Sequence, residues 1–270
     1  MPEGPSLVIL KEEARAFARK KVVRASGVAA IPMKRITGRR VIALRTWGKH
    51  FLIQFDGFTL RIHFLLFGSY LIDARKPDRT PKLRLQFANG EINFYACAIR
   101  LIEGNLDEAY DWSADVMSDL WDARSARKKL RSTPDLLACD ALLDQNIFSG
   151  VGNIIKNEVL FRLRVHPLSQ VGALPAAKLR ALVEQARQYS FEFLEWKKAG
   201  VLKRHWLAHT RKMCPRCHIP LNLAELGVTR RRTFFCNNCQ VLYGSMKSKR
   251  AVAKRADKAR SRERGLVSSR

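Results

Sequence analysis

Apolar residues near the start of the chain recur at the spacing of a helix. These positions lie three or four residues apart and predict a first helix that runs to about Lys20; they are Leu7, Leu10, Ala14 and Phe17. From Val22 onward, apolar and polar residues alternate instead, which is the pattern of half-buried strands. A helix followed by strands is therefore predicted for the first part of the chain.

Turn dipeptides divide the alternating region into short strands. Residues 83–87 and 91–95 alternate on either side of Asn89-Gly90, which is a strong short-range signal of a β-hairpin. Two more strands flank Asp56-Gly57. Because several short strands are separated by turns, residues 1–118 are predicted to form a helix followed by a β-sandwich or barrel.

The hydrophobic pattern is helical between residues 119 and 207. Residues 177–198 carry apolar side chains at three- and four-residue steps, and Pro175 and Gly200 punctuate the ends of this predicted helix. A short apolar helix is predicted at residues 136–143. The sequence therefore predicts an α+β protein with several domains.

Four of the six cysteines form two Cys-x2-Cys pairs late in the chain. The pairs enclose eighteen residues and are Cys214 with Cys217 and Cys236 with Cys239. This is the spacing of a four-cysteine zinc finger, which we place at residues 208–243. Four thiolates close a tetrahedral shell without an open position, so one structural Zn²⁺ is predicted. Cys97 and Cys139 lie outside the pattern and are predicted core residues.

Positive charge dominates the composition. The chain has 50 Lys and Arg against 24 Asp and Glu, a formal net charge of +26, which favours nucleic acid as a partner over a membrane surface. Residues 229–235 place three arginines either at the tip of a finger hairpin or on a solvated face. Residues 244–270 contain ten Lys or Arg and two acidic residues. They predict a disordered basic tail that either aids solubility or attaches to DNA.

The hydrophobic pattern predicts neither secretion nor membrane insertion. The first apolar run, residues 7–10, is flanked by acidic residues and does not fit a secretory signal. No apolar stretch reaches the roughly 18 residues of a membrane span. We therefore predict an intracellular protein, cytoplasmic or nucleoid-associated, without a membrane partner.

A glycine-rich turn opens a second helix after the short apolar one. Gly150-Val151-Gly152-Asn153 permits close backbone approach and precedes a helix that begins at Ile154. The free N–H groups at such a helix start suit a phosphate. Asn153 is predicted either to cap this helix or to touch the anion. Lys156, within the first turn of the helix, is a further candidate DNA contact.

The N-terminus offers a nucleophile if Met1 is removed. The chain then begins with the secondary amine of Pro2, with a pKa in the α-amino range of roughly 7.7 to 8.0. Such an amine is partly neutral at physiological pH and attacks an aldehyde-level carbon without the pKa depression that a lysine needs. Glu3 beside it is a candidate proton shuttle.

Three separated motifs resemble the formamidopyrimidine-DNA glycosylase and endonuclease VIII family. The first is Pro2-Glu3-Gly4-Pro5. The second is the helix pair that contains Leu142-Leu143-Asp144-Gln145 and Gly150-Val151-Gly152-Asn153. The third is the four-cysteine finger, with Arg231-Arg232-Thr233 before its second pair. The motifs follow in the family's order, and the resemblance extends from the N-terminus to the end of the finger.

The resemblance implies a base-excision DNA repair enzyme of known architecture. It implies an N-terminal helix plus β-sandwich, a helix-two-turns-helix domain and a zinc finger. The enzyme would flip an oxidised base, cleave its glycosidic bond and nick the strand. Pro2 would form a Schiff base and Glu3 would protonate the sugar. Lys49 would contact phosphate and assist β-elimination, and Arg231 would grip the phosphate near the lesion and assist δ-elimination.

The resemblance also implies DNA contacts that lie outside the reacting atoms. Asn153 and His63 match family phosphate contacts. Leu65, Leu66 and Phe67 resemble the loop that fills the space left by the flipped base. The other interpretation of these three residues is ordinary strand core.

Departures from the family pattern bear on the substrate. Ser6 stands where many members carry a glutamate that helps to organise the active site, so that role is absent here or supplied by another residue. For the substrate, only eleven residues separate Leu202 from Cys214, too few for a long lesion-capping loop. With Gly4, this short segment indicates the endonuclease VIII branch and favours oxidised pyrimidines over oxidised purines. The predicted protein is a monomer that binds damaged double-stranded DNA. The alternative is a non-catalytic zinc-finger DNA-binding protein, which has no reason to keep Pro2, Glu3 and Lys49 together.

Overall fold

A computed structural model describes residues 2–244 of the 270-residue chain. The predicted basic tail, apart from Gly244, and Met1 lie outside the described residues. The fold is α+β, as predicted. Among residues 2–244, no helix combines the length and the apolar character needed to cross a membrane.

The first helix is shorter than predicted. Helix α1 spans Gly4–Glu13, with Pro5 in its first turn, and a 3₁₀ turn follows at Ala14–Phe17. The prediction that the helix runs to Lys20 is wrong because the chain is extended at Ala18 and left-handed at Arg19, where φ is 63°. The apolar spacing continues through the 3₁₀ turn, so it did not reveal the change of backbone.

The predicted strands form one antiparallel sheet in the order β1-β5-β6-β4-β3-β2. Its strands are β1 (Arg24–Ser26), β2 (Ala43–Trp47), β3 (His50–Phe55), β4 (Phe58–Ile72), β5 (Leu83–Phe87) and β6 (Gly90–Glu103). A short helix α2 (Met33–Ile36) lies between β1 and β2. The predicted hairpins at Asp56-Gly57 and Asn89-Gly90 are confirmed. All six strands are joined in one hydrogen-bonded sheet, whose β4–β6 register shifts between Phe64 and Ser69.

One face of this sheet packs against α1 and the 3₁₀ turn. Alternate residues of β5 are buried, as half-buried strands require. Phe17 stacks on Phe87 with ring centroids 4.6 Å apart, and Leu7 and Leu10 are fully buried in the same hydrophobic core. Each such buried side chain contributes roughly 1.5–3 kcal/mol relative to exposure. The start of the chain is therefore fixed to the sheet by packing.

The helical region has its own hydrophobic core. Its helices are α3 (Leu106–Ala109), α4 (Ala123–Arg131), α5 (Ala138–Ala141), α6 (Asn153–Arg162) and α7 (Ala176–Lys198). Helix α7 agrees with the predicted 177–198, whereas the apolar run 136–143 contributes only the single turn α5. Helix α6 is buried between α7 and the finger.

The cysteine-rich segment forms a two-stranded hairpin with a small core. The strands are β7 (Asn222–Leu226) and β8 (Arg231–Phe235). Phe234 packs with Cys214 and Cys236 against Phe161 of α6. The arginines at residues 230–232 are exposed at the end of the hairpin, as the alternation predicted.

Candidate active site

Two glycine-containing turns meet the first residue of α1, Gly4. The amide of Gly4 donates a hydrogen bond to the carbonyl of Gly150 at 2.9 Å, and a Cβ on Gly4 would lie 2.9 Å from the Gly150 Cα. Gly48, in the β2–β3 turn, has a φ of 52°, and a Cβ there would overlap the Ser149 Oγ. These close approaches bring Pro2, the β2–β3 turn and the start of α6 together.

The side chain of Glu3 caps α6. Its carboxylate accepts hydrogen bonds from the backbone N–H groups of Gly152 at 3.1 Å, Ile154 at 2.7 Å and Ile155 at 3.2 Å. The prediction that these N–H groups bind a phosphate is wrong, because a carboxylate of the same chain already satisfies them. Glu3 is only 4% exposed. Burial raises its pKa above the usual value, although Lys49 and the backbone donors act in the opposite direction.

Lys49 lies in the two-residue turn between β2 and β3, close to Glu3. Burial lowers the pKa of Lys49, the charge of Glu3 raises it, and the charge of Arg231 lowers it further. Asp115 holds this turn, because its carboxylate accepts hydrogen bonds from the N–H groups of Gly48 at 3.0 Å and Met117 at 2.9 Å. Asp115 belongs to no motif, so sequence reasoning missed it.

Pro2 lines a pocket of about 650 Å³. Ser6, Phe193, Lys197 and Trp206 also line it, together with the chain segment that follows α7. Burial lowers the pKa of Lys197, whereas the charge of Glu3 raises it. The pocket thus combines aromatic walls with a cationic side chain next to Pro2. Lys197 and Trp206 were not predicted, because their sequence context is an ordinary helix end and loop.

Arg231 begins β8 and is exposed. Asn153 is the first residue of α6, and its Nδ2 donates a hydrogen bond to the carbonyl of Arg232 at 2.8 Å. The interpretation of Asn153 as the cap is wrong, since Gly152 occupies the cap position and Glu3 supplies the acceptor oxygens. Its phosphate contact stays a prediction.

Lys156 lies in the protein interior. The residue is 0% exposed, and its Nζ donates a hydrogen bond to Thr233 Oγ1 at 2.7 Å. The prediction that Lys156 contacts DNA is wrong for this arrangement, because its ammonium is enclosed between α6 and β8. A lysine in the first turn of a helix gave no signal that distinguishes a buried position from an exposed one.

Leu65, Leu66 and Phe67 form an exposed apolar segment of β4. Their exposed fractions are 50%, 59% and 81%, so the strand-core interpretation is wrong. The segment coincides with the break in β4–β6 pairing between Phe64 and Ser69, which releases consecutive side chains from the two-residue alternation of a strand. Insertion of these side chains into DNA stays a prediction.

His63 lies on β4 opposite His50 on β3. The two rings meet edge to face with centroids 5.3 Å apart. Burial, followed by the charges of Lys49 and Arg61, lowers the pKa of His63. The imidazole is therefore neutral at physiological pH and offers one N–H to a partner. Its phosphate contact stays a prediction.

The four predicted cysteine ligands converge on one point. Their sulfur atoms all lie within 4.8 Å of one another, and the group comprises Cys214, Cys217, Cys236 and Cys239. The Sγ atoms of Cys214 and Cys239 are 3.8 Å apart. A tetrahedral zinc with Zn–S bonds of about 2.3 Å places its sulfurs about 3.8 Å apart, so the cluster fits a metal ion of this size. Asn238 Nδ2 also donates to the sulfur of Cys217 at 3.2 Å.

Two family models match the chain. The formamidopyrimidine-DNA glycosylase N-terminal domain matches residues 1–100, and the formamidopyrimidine-DNA glycosylase H2TH domain matches residues 114–204. Together they cover the elements that position Pro2, Lys49 and α6.

Similar proteins and structures agree with these matches. Endonuclease 8-like 3 of Mus musculus is 33% identical over 205 residues, which cover 73% of this chain and 34% of that protein. Endonuclease 8-like 2 of Bos taurus is 34% identical over 198 residues, which cover 67% of this chain and 58% of that protein. The chain thus spans about a third of the mouse relative's length.

The fold also matches solved structures of low sequence identity. A viral DNA glycosylase aligns with a TM-score of 0.78 at 19% identity, covering 88% of this chain and 100% of the other. Lactococcus lactis formamidopyrimidine DNA glycosylase, non-covalently bound to AP-site-containing DNA, aligns with a TM-score of 0.77 at 20% identity, covering 88% and 99%. With both family models matched in order, the chain belongs to the formamidopyrimidine-DNA glycosylase and endonuclease VIII family.

Proposed function

We propose that this protein is a DNA glycosylase with abasic-site lyase activity that acts through the amine of Pro2 in base-excision repair. The observation that carries the proposal is the position of Pro2 on a pocket, next to the buried carboxyl group of Glu3. Lys49 lies close enough to Glu3 for each charge to shift the other's pKa. This arrangement supports a nucleophile, a proton donor and a cation beside a cavity for the flipped base.

The chemistry begins with removal of Met1, because an acylated Pro2 nitrogen is an amide without a nucleophilic lone pair. The free amine attacks C1′ of the flipped nucleotide, and the base leaves with the electron pair of its glycosidic bond and a proton. The C1′–O4′ bond then breaks as the nitrogen lone pair forms an iminium. Glu3, whose pKa burial raises, supplies the proton to O4′.

Strand cleavage follows from the iminium. Loss of a C2′ proton and departure of the 3′ phosphate break the C3′–O bond, and water hydrolyses the iminium to release Pro2. Lys49, whose pKa burial lowers, assists this β-elimination as a proton acceptor or a phosphate contact. Arg231 is exposed beside these groups and grips the phosphate near the lesion, where it assists δ-elimination.

Damaged double-stranded DNA is the proposed partner. The net charge of +26 favours a polyanion, and contacts from Asn153 and His63 add phosphate binding. Leu65, Leu66 and Phe67 are exposed apolar side chains that replace lost stacking when a base is flipped. The pocket beside Pro2 takes the flipped base, and the short segment between Leu202 and Cys214 favours an oxidised pyrimidine over an oxidised purine.

The four cysteines are proposed to hold one structural Zn²⁺. The sulfur distances support it, and a closed tetrahedral shell leaves no position for water or substrate. The metal supplies no step of the reaction; it holds together the hairpin that carries Arg231. A monomer located in the cytoplasm or on the nucleoid remains our prediction.

Borohydride trapping tests the catalytic proposal. Purified protein is mixed with duplex DNA that carries an abasic site, thymine glycol or 8-oxoguanine, and the imine is reduced to a stable adduct. We expect adducts with the first two substrates and a weaker adduct from a Pro2→Gly variant, whereas a Pro5→Ala control, which keeps the N-terminal amine, should trap like the wild type.

One outcome overturns the proposal. Mass spectrometry first establishes that Pro2 is the N-terminal residue. If that protein binds DNA but forms no adduct, the catalytic mechanism is wrong, and a non-catalytic DNA-binding protein takes its place.

A further inference from the structure

A buried polar chain links helix α6 to the backbone of Arg231. The ammonium of Lys156 donates a hydrogen bond to Thr233 Oγ1 at 2.7 Å, and the Thr233 hydroxyl donates to the carbonyl of Arg231 at 2.9 Å. Lys156 and Thr233 are both 0% exposed. The Thr233 hydroxyl thus donates its proton to the Arg231 carbonyl of β8 and accepts the hydrogen bond from Lys156 of α6. Together these two hydrogen bonds fix the orientation of the hydroxyl.

Burying the ammonium of Lys156 stabilises the fold less than burying an apolar side chain of similar volume would. A buried ammonium loses its hydration, and burial lowers the pKa of Lys156 to about 8 although Cys139 and Asp140 oppose the shift. A methionine would fill a similar volume without that cost. The buried ammonium of Lys156, which is hydrogen-bonded to the strand that carries Arg231, therefore indicates that the position of this strand must be fixed.

Two further contacts hold the same hairpin to the helical region. Asn153 Nδ2 donates to the carbonyl of Arg232 at 2.8 Å, and the carboxylate of Asp140 accepts from the N–H of Val228 at 2.9 Å. The hairpin is therefore held at its turn and along β8. Of these three contacts, the one between Lys156 and Thr233 continues to the backbone of Arg231.

We propose that Lys156 and Thr233 are positioning residues that fix the backbone of Arg231 so that its guanidinium reaches a DNA phosphate beside Lys49. Arg231 begins β8, two residues before Thr233, and its charge lowers the pKa of both Lys49 and Lys156, so it lies near both side chains. The inference rests on the proposed function only in that Arg231 contacts DNA.

The test measures the affinity for abasic-site duplex DNA in two backgrounds. Thr233→Val keeps the shape of the side chain and removes the hydroxyl. We expect it to weaken binding about tenfold when Arg231 is present, and by less than about twofold in an Arg231→Ala background, because residues that act through one another are not additive. Thr233→Ser, which keeps the hydroxyl, should restore most of the affinity.

Salt dependence supplies an independent readout. Loss of one phosphate contact lowers the slope of log affinity against log salt by about 0.9. Thr233→Val and Arg231→Ala should show this same reduction, and together they should show no more than either alone. A purely structural role of Thr233 predicts instead an equal loss in both backgrounds.

Folding controls keep the result interpretable. Thermal unfolding and zinc content are measured for each variant. Thr233→Val could fail to fold because it leaves the ammonium of Lys156 unpaired. In that case the double variant Lys156→Met with Thr233→Val, which removes both polar groups, replaces Thr233→Val and is compared with and without Arg231→Ala.

The proposal is overturned if the loss of affinity is the same with and without Arg231, or if Thr233→Ser behaves like Thr233→Val. A wild-type protein that fails to trap through Pro2 but shows this coupling would refute the catalytic proposal and leave the positioning role standing.

Discussion

Gly48 allows the β2–β3 turn to approach the start of α6, and Gly48→Ala is the perturbation that tests this approach. Its φ of 52° lies in the left-handed region. A Cβ at this position would overlap Ser149 Oγ and lie 3.0 Å from the backbone nitrogen of Gly150. The substitution therefore adds both backbone strain and a steric clash next to Lys49.

Backbone strain and the steric clash each lower the stability by an amount that can be worked out separately. A left-handed conformation costs a residue with a Cβ roughly 1–2 kcal/mol. Overpacking of a tight interior contact costs typically about 1–3 kcal/mol. Gly48→Ala should therefore lower the free energy of unfolding by about 2–5 kcal/mol. Gly57→Ala is the matched control, because Gly57 has a φ of 79° in the next hairpin but no atom within 4 Å of its Cβ position, so only the first term applies.

Denaturant unfolding measures the difference between the two variants, and imine trapping measures its effect on Lys49. Gly48→Ala should trap an abasic site more slowly than Gly57→Ala. Adding Ser149→Gly should recover about 1 kcal/mol or more, because it removes the overlapping hydroxyl, which has no hydrogen-bond partner among the described residues. Equal stability and equal trapping in Gly48→Ala and Gly57→Ala would refute the close approach.

Three further predictions concern charge, metal and DNA. Burial raises the pKa of Asp115 from 3.8 to about 6, so the folded state binds a proton more tightly than the unfolded one, and stability should fall by up to about 3 kcal/mol as pH rises from about 4 to 7. Asp115→Asn should flatten this decline in urea titrations, and an unchanged slope would contradict it. Cys236→Ser or a strong chelator should release one zinc per chain and abolish lesion binding, as followed by metal analysis and gel shift. Phe67→Ala should slow release of thymine glycol at least about tenfold, whereas Leu120→Ala, at an equally apolar exposed position, should not.

Local patterns predicted the strands and the longest helix well. Turn dipeptides fixed both hairpins, and the apolar spacing of α7 located its bounds to within one residue. The end of α1 was missed because Ala14 and Phe17 keep a helical spacing in a 3₁₀ turn, so the change lies in backbone angles that the pattern does not encode. The joining of all strands in one sheet depends on long-range pairing between β4 and β6, which no local spacing determines.

The sequence predicted the cysteine cluster better than it predicted the contacts of individual polar side chains. Spacing alone identified Cys214 and the other three cysteines of the cluster, because four thiolate ligands of one metal ion must surround the same point. Lys156 was misplaced because one lysine in a helix looks the same whether it faces solvent or a buried threonine. Asp115 and Lys197 were missed because their contacts join segments far apart in the chain.

The capping of α6 by Glu3 shows why the anion at a helix start could not be identified from the glycine turn. Free N–H groups at a helix start bind any nearby anion, and the dipole there favours negative charge of every kind. A phosphate must be recruited from outside, whereas Glu3 is delivered by the packing of α1 on the sheet, since it immediately precedes that helix. The same contact fixes Pro2, because the two residues are adjacent in the chain. The helix start therefore binds the side chain of Glu3, and we expect the phosphates of DNA to be contacted by other groups, among them the exposed cations of the hairpin.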